Sequence, residues 1–227
     1  MIGLVIIILM YFTAVFAPLI APYEFDQIDL DNVSAGPSLE HLMGTDELGR
    51  DVFSRVVWAA RSAAFVSITV TALGLTLGIF FGVLSGYMGG WVDTLIMRLS
   101  DVLFAFPGLL FVFFIAATIR PTLNTWLRNI GLNDLARSDY LDYLVVIIAL
   151  SLVGWPGMAR LIRGQLLSLK NREYILAAQS IGVPTWRIML RHLLPNAMPP
   201  VIVAVSGGMG AVILAEATLS FLGIGLQ

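Results

Sequence analysis

The residues able to do chemistry are few and sit in a handful of places. Arg160, Arg163, Lys170, Arg172, Arg187 and Arg191 crowd one stretch, and eight of the 15 acidic residues fall between Glu24 and Asp51. Two histidines, His41 and His192, and no cysteine exclude histidine-rich or thiolate metal cages, disulfides and cysteine nucleophiles. The run from Asp46 to Asp51 lacks the Asp-x-Asp-x-Asp-Gly alternation of a calcium loop and is assigned no ion, and His41 reads as a solvated histidine. Lys170 is the sole lysine and lies in Leu-Lys-Asn, so the chain has no phosphate-cradling Gly-Lys-Ser/Thr loop and any ATP hydrolysis belongs to a partner. Ser206, beside Gly207 and Gly208, would need a base within reach to act as a nucleophile, and both histidines fall in expected loops. No catalytic residue, metal or cofactor is assigned. Glu216 is the one acid deep in an apolar run. Intramembrane acids are functional candidates, so Glu216 is carried as a pathway or gating residue, beside a plainer reading in which it hydrogen-bonds loop backbone. Arg98 and Asp101, three apart, predict an intrahelical ion pair.

The elements that must position these groups are membrane helices. Of 227 residues, 58% are hydrophobic and 12% charged, against roughly 25% charged in a soluble domain, and the mean hydropathy is +0.89. A net charge of −2 leaves no basic footprint for nucleic acid. Five apolar runs, near 2–21, 63–86, 102–119, 143–159 and 197–219, have lengths near the ~20 residues that a helix needs to cross a bilayer. The first has no basic flank and no break before Pro18, which fits a span better than a signal peptide. The lack of any basic residue before Arg50 suggests a missing cytoplasmic leader, and the exit after Leu219 suggests a chain that continues beyond Gln227. With the amino terminus inside, 7 Lys and Arg lie inside against 6 outside, which is nearly a tie. The long basic stretch of about 160–196 decides for the cytoplasm, because such a loop is hard to export. Gly74, Gly78, Gly82 and Gly86 share one helical face and predict a packing seam, with a flexible pore-lining face as the alternative. One transmembrane domain over 1–227 is the simplest division.

Within the basic stretch, residues 170–196 spell a helix, a corner and a second helix. Asn171 is expected to cap the first helix, Glu173 to sit in its first turn and Gly182 to supply a left-handed stop. Pro184 blocks continuation, Thr185 is expected to cap the second helix, and Pro195 with Asn196 to end it and start the fifth span. Ala177 and Ala178 leave a flat surface against which another protein can pack. Arg187 and Arg191 can face an acidic partner or lipid phosphates.

The spacing Ala177-Ala178, three residues, Gly182, then nine residues before a closing Leu194-Pro195 resembles the EAA loop of binding-protein-dependent ABC importer permeases. Glu173-Tyr174 matches the earlier acid of the dipeptide, oligopeptide and nickel class. The segment 41–55 resembles the one before the second span in those permeases, and 219–225 resembles the stretch after their fifth span; His192 replaces the usual isoleucine. The resemblance implies an all-α polytopic helix bundle of the type I importer permease kind, with a sixth span beyond these 227 residues. It further implies a non-enzymatic subunit of the bacterial or archaeal cytoplasmic (inner) membrane, carrying peptides or similar solutes. Its partners would be a sibling permease, two ATP-binding subunits, an external binding protein and membrane lipids. Glu173, Tyr174, Ala177, Ala178, Gly182, Leu194 and Pro195 would face the ATPase. A secondary transporter and, behind it, an intramembrane hydrolase are the competing readings.

Overall fold

The computed structural model describes residues 2–136, 138 and 140–223, with side chains from residue 5 onward. In chain order the elements are α1 (Ile2–Ile20), a 3-10 turn (Leu30–Asn32), α2 (Val52–Met88), α3 (Gly90–Phe104), α4 (Gly108–Asn129), α5 (Asn133–Ala136), α6 (Tyr140–Leu169), α7 (Glu173–Ser180), α8 (Thr185–Ile188), a π turn (Met189–Leu193) and α9 (Leu194–Phe221). The described residues form no strand, only an isolated bridge between Thr45 and Asp51. Among the described residues, four helices are long and apolar enough to cross a membrane: α2, α4, α6 and the continuous run Thr185–Phe221; the part Val5–Ile20 of α1 is a shorter apolar helix.

The chain divides into two compact units, Met1–Val66 and Ser67–Gln227, with α2 running from one into the other. In the first unit, the segment after α1 is folded onto the start of α2. Tyr23 donates its N–H to Ser54 Oγ (3.2 Å), and Trp58 Nε1 donates to the Tyr23 carbonyl (3.2 Å). Gly49 turns at φ 75°, where a Cβ would collide with the backbone of Asp29. The expected solvated histidine is wrong: His41 is 4% exposed, because its ring packs on Tyr23 and its Nδ1 meets Asp51.

In the second unit α6 is the central helix, with α2, α3, α4 and α9 packed on it. The glycine face of α2 divides. A Cβ at Gly78 would strike Met158, one at Gly82 the Ala159 carbonyl and Ile162, and one at Gly86 would press on Leu166 and Arg163. These three are the expected seam, where backbones approach closely. Gly74 is different, since a Cβ there would meet nothing within 4 Å.

Several element ends depart from expectation. The third span, expected at 102–119, is interrupted: α3 ends at Phe104 and α4 starts at Gly108. Pro107 is the cause, since its ring excludes the helical conformation for Phe106 and it has no N–H to give. The segments left between the expected spans at 87–101 and 120–142 are largely helical, as α3, the end of α4 and α5. The cytoplasmic loop expected from residue 160 begins only after Leu169. Arg160 and Arg163 thus belong to α6, where acids on α3 answer their charges.

The second helix of the corner does not end at Pro195. α8, the π turn and α9 are continuous, with Pro195 in the first turn of α9. Proline removes a backbone donor and would orphan a carbonyl one turn back. The widened π turn accommodates that loss, with the Leu194 N–H bonded to the Met189 carbonyl. The Asn196 amide donates to the His192 carbonyl at 2.6 Å, supplying a side-chain bond where backbone pairing is irregular.

Candidate functional site

The corner between α6 and α9 is built on a small buried cluster. Ile175 and Ala178 of α7, Ile188 of α8 and Leu193 of the π turn pack with Ile162 and Leu166 of α6 and Ala197 and Val201 of α9. Buried positions 175 and 178 are three apart, so α7 fixes one stripe inward and presents the rest. Its end has both bonds of a Schellman motif: Val183 N–H to the Ala178 carbonyl (3.0 Å) and Gly182 N–H to the Gln179 carbonyl (2.9 Å). Gly182 takes the left-handed conformation at φ 77°. Arg172, not Asn171, is the residue before α7, and it makes no side-chain cap bond. Pro184, not Thr185, precedes α8. Thr185 instead accepts a hydrogen bond from Tyr87 at the end of α2 (3.2 Å).

The residues singled out from the motif therefore separate. Glu173, Tyr174 and Ala177 lie on the exposed side of α7, while Ala178 points into the cluster and lends nothing to an outer surface. Leu194 is half-buried and Pro195 exposed, both beyond the π turn in the first turn of α9. Beside Glu173, the bare face carries Tyr174, Leu176, Ile181, Trp186 and Leu190, a largely apolar surface not recognised in the sequence. Arg187 lies over the Trp186 ring at 5.3 Å, and both Arg187 and Arg191 are exposed.

Two ion pairs hold α3 to α6 next to this corner. Arg163 Nε and Nη2 donate to the two oxygens of Asp93 at 2.5 Å each, and the Ser85 hydroxyl of α2 donates to the same carboxylate. The bond from Arg163, more than the opposing burial, holds the Asp93 carboxyl below its usual range. Arg160 reaches Asp101 at 2.6 Å and lies over Phe104 at 4.4 Å. Asp101 is thereby taken by α6, which corrects the expected Arg98–Asp101 pair; Arg98 is exposed and has no ion pair among the described residues. Spacing along one helix could not reveal partners 59 and 70 residues away.

Glu216 is 8% exposed and accepts a bond from Ser220 Oγ on its own helix (2.9 Å); a bond from it to loop backbone is not among those of the described residues. In the first unit, Asp46 collects the N–H groups of Leu48 (2.9 Å) and Arg50 (3.0 Å), Arg50 Nε (2.9 Å) and Arg55 Nη1 (2.5 Å). The Arg50 N–H is the largest influence, and together these bonds hold the Asp46 carboxyl far below the ordinary carboxylate range despite burial. Burial pushes Asp51 up, but the Ser54 N–H and hydroxyl and His41 outweigh it, so its carboxyl also lies low. No group of three or more metal-ligating side chains occurs among the described residues. The motif segment 219–225 runs past Gly223, and its last residues lie outside the described ones.

The family model described as "Binding-protein-dependent transport system inner membrane component" matches residues 78–227, a stretch that contains α3, α6, the corner and α9. The chain belongs to this family. A second model, the "N-terminal TM domain of oligopeptide transport permease C", matches residues 1–37. The chain is similar to the oligopeptide transport system permease protein OppC of Bacillus subtilis (strain 168), 38% identical over 226 residues, covering 100% of this chain and 68% of that protein. It is likewise similar to the dipeptide transport system permease protein DppC of the same organism, 38% identical over 227 residues, covering 100% of this chain and 65% of the relative. The glutathione transport system permease protein GsiD of Escherichia coli O157:H7 is 41% identical over 222 residues, covering 97% and 67%. The chain thus spans about two thirds of the length of these relatives. It is a membrane-spanning transport subunit, and the permease's helical architecture agrees with that membership.

Proposed function

We propose that this chain is the transmembrane subunit of an ATP-driven importer of short peptides. Residues 1–227 work as a single permease domain in the cytoplasmic (inner) membrane of a bacterium or archaeon. A sibling permease lies beside it, an external binding protein delivers the solute, two ATP-binding subunits engage the corner, and lipids surround the apolar helices. The observation that carries this reading is the corner itself. A short helix is pinned through Ile175 and Ala178 to the ends of α6 and α9, while Glu173, Tyr174, Leu176 and Ala177 stand bare on its outer side. Such a helix can receive a push from a soluble partner and pass it to two spans, which is what alternating access requires. Gly182 sets its docking angle, Arg187 and Arg191 flank the contact, and Leu194 and Pro195 begin the helix that receives the motion. Glu216, toward the far end of α9, is the pathway or gating candidate on that same helix. The solute class is supported by the relatives, whose names specify oligopeptide, dipeptide and glutathione transport.

The test is purification of the chain from native membranes with whatever accompanies it, followed by reconstitution. Co-elution of an ATPase and a second permease, with ATP-dependent uptake of labelled dipeptide, is the expected result. Uptake driven by an ion gradient without ATP would overturn it.

A further inference from the structure

The segment between α1 and α2 shows an apolar surface that its own unit leaves uncovered. Its backbone lies largely outside helix and strand and is fixed by long-range hydrogen bonds instead. Asp29 N–H reaches the Gly49 carbonyl (2.9 Å), Ser34 N–H that of Asp46 (3.0 Å), Thr45 N–H that of Ala35 (3.0 Å) and Val52 N–H that of Gly44 (3.0 Å). The first two bonds lay residues 29–34 beside 46–49. Ile28, Leu30, Val33 and Leu48 nevertheless stand exposed on these neighbouring stretches, Leu30 at 79%. A backbone pinned in this way does not let them turn inward, and exposed apolar side chains rimmed by polar ones mark a site of association. Ile28 and Leu30 also line a cleft of about 370 Å³ together with Tyr23, Asp29 and Asp31, so the surface is concave enough to admit a side chain.

Charge decides what kind of partner fits. From Glu24 to Asp51 eight acids stand against one arginine, Arg50. Asp29, Asp46 and Asp51 are engaged by His41, Arg50 and Arg55. Glu24, Asp26, Asp31, Glu40 and Glu47 are exposed and make no ion pair among the described residues. Lipid phosphates recruit basic side chains, so an acidic rim turns a lipid surface away. A permanently packed subunit is a poor occupant too, because charged groups are depleted from the centre of such interfaces and are costly to bury unpaired. Unpaired rim charge suits a soluble protein that arrives and leaves, since it speeds encounter through long-range steering without being buried.

We infer that this segment is the landing surface for the external binding protein, which meets Ile28, Leu30, Val33 and Leu48 with an apolar patch ringed by lysines. The inference rests on the importer reading above, which places the segment outside, and adds to it the surface and the chemistry of the contact. Leu30, the most exposed of the four, is the anchor. The unpaired acids draw the partner in and set its register, and the apolar centre holds it.

The experiment uses the whole reconstituted importer and the binding protein that supports its dipeptide uptake, with uptake measured against binding-protein concentration. Leu30→Ser, at a side chain that packs on little, should raise the half-saturating concentration about tenfold and leave maximal uptake unchanged. Asp31→Asn should raise it about twofold at low salt and flatten its rise with added salt. A carbodiimide, which joins a carboxylate to an amine in contact with it, should link Asp31 or Glu47 to a lysine of the binding protein, as read by mass spectrometry of the joined peptides. Unchanged half-saturation in both variants, or no link from these acids to the binding protein, would overturn the inference and leave the importer reading standing. Loss of the sibling subunit from the Leu30→Ser complex would overturn it as well and assign the surface to the sibling. A fall in maximal uptake at unaltered half-saturation would make the segment structural, which also overturns it. If dipeptide uptake by the unaltered complex depends on no soluble protein, the importer reading itself fails.

Discussion

Gly182 is the residue on which the corner turns, and its effect is separable from packing. At φ 77° it holds a conformation that costs an L-residue about 1–2 kcal/mol, yet a Cβ there would touch nothing within 4 Å. Gly182→Val should therefore leave insertion and sibling assembly intact while releasing the ATPase subunits and lowering uptake several-fold. Gly182→Asn, which tolerates the same conformation better, should lose less, and Gly164→Val, at a helical glycine with open space, should lose little. Retained ATPases in a pull-down of Gly182→Val would mean that the corner is not the contact. Asp46 carries a different prediction. Its carboxyl is held low by the Arg50 and Leu48 N–H groups and by the Arg50 and Arg55 side chains. A depressed folded value means that stability is fully present above the unfolded value of about 3.9 and is lost as pH falls through the folded one. Protection of the amides across 44–51, taken relative to their intrinsic exchange rate at each pH, should therefore be high at neutral pH and fall in acid. Asp46→Asn should be less protected at neutral pH, with protection nearly flat with pH; an unchanged profile would remove Asp46 from its central role.

α3 is the element whose importance was least legible from sequence. Its two acids, Asp93 and Asp101, are matched by Arg163 and Arg160 on α6. Removing one member of a partly buried, bidentate pair strands the other, at a cost of about 2 kcal/mol. Arg163→Met should thus lower the melting midpoint in detergent, and adding Asp93→Leu should recover part of the loss. A double variant as unstable as the sum of two equal single losses would show that the pair does not interact. The same pair explains why hydropathy misplaced the helix ends. A sliding window treats Arg160 and Arg163 as loop charges, because it cannot register partners 59 and 70 residues away. It also runs through Pro107, since Phe104, Phe106 and Leu109 on either side are apolar. The glycine corner, by contrast, was readable, because the left-handed stop at Gly182 is dictated by local chemistry alone. His41 was misread for the opposite reason: its burial depends on Asp51 and on Tyr23, whose ring lies 5.1 Å away.

For the molecule as a whole, the orientation across the bilayer can be tested directly, since the chain has no cysteine of its own. Asp26→Cys, at an exposed position, should react with an impermeant maleimide from outside in sealed cells, and Arg172→Cys only after the membrane is opened. Inverted labelling would reverse the assignment of the basic stretch to the cytoplasm. The unbroken helical run Thr185–Phe221 gives this orientation a mechanical meaning. At 1.5 Å per residue its 37 residues make a rod of roughly 55 Å. One end of the rod is Trp186, bare at the corner, and farther along Ala204, Gly208 and Ala215 line an open apolar groove of the second unit. No hinge loop intervenes; the run carries the π turn at Met189–Leu193, close to the near end, and two prolines, Pro199 and Pro200, inside α9. Under the proposed coupling, that turn is the fulcrum, and the long arm beyond it turns a small tilt at the short end into a larger sweep of the far end. Deleting Leu190 would convert the widened turn to an ordinary one and, since a π turn absorbs its extra residue locally, leave the two arms facing nearly as before. Under the proposed coupling, the give between the ATPase contact and the far arm rests on a single surplus residue in one helix.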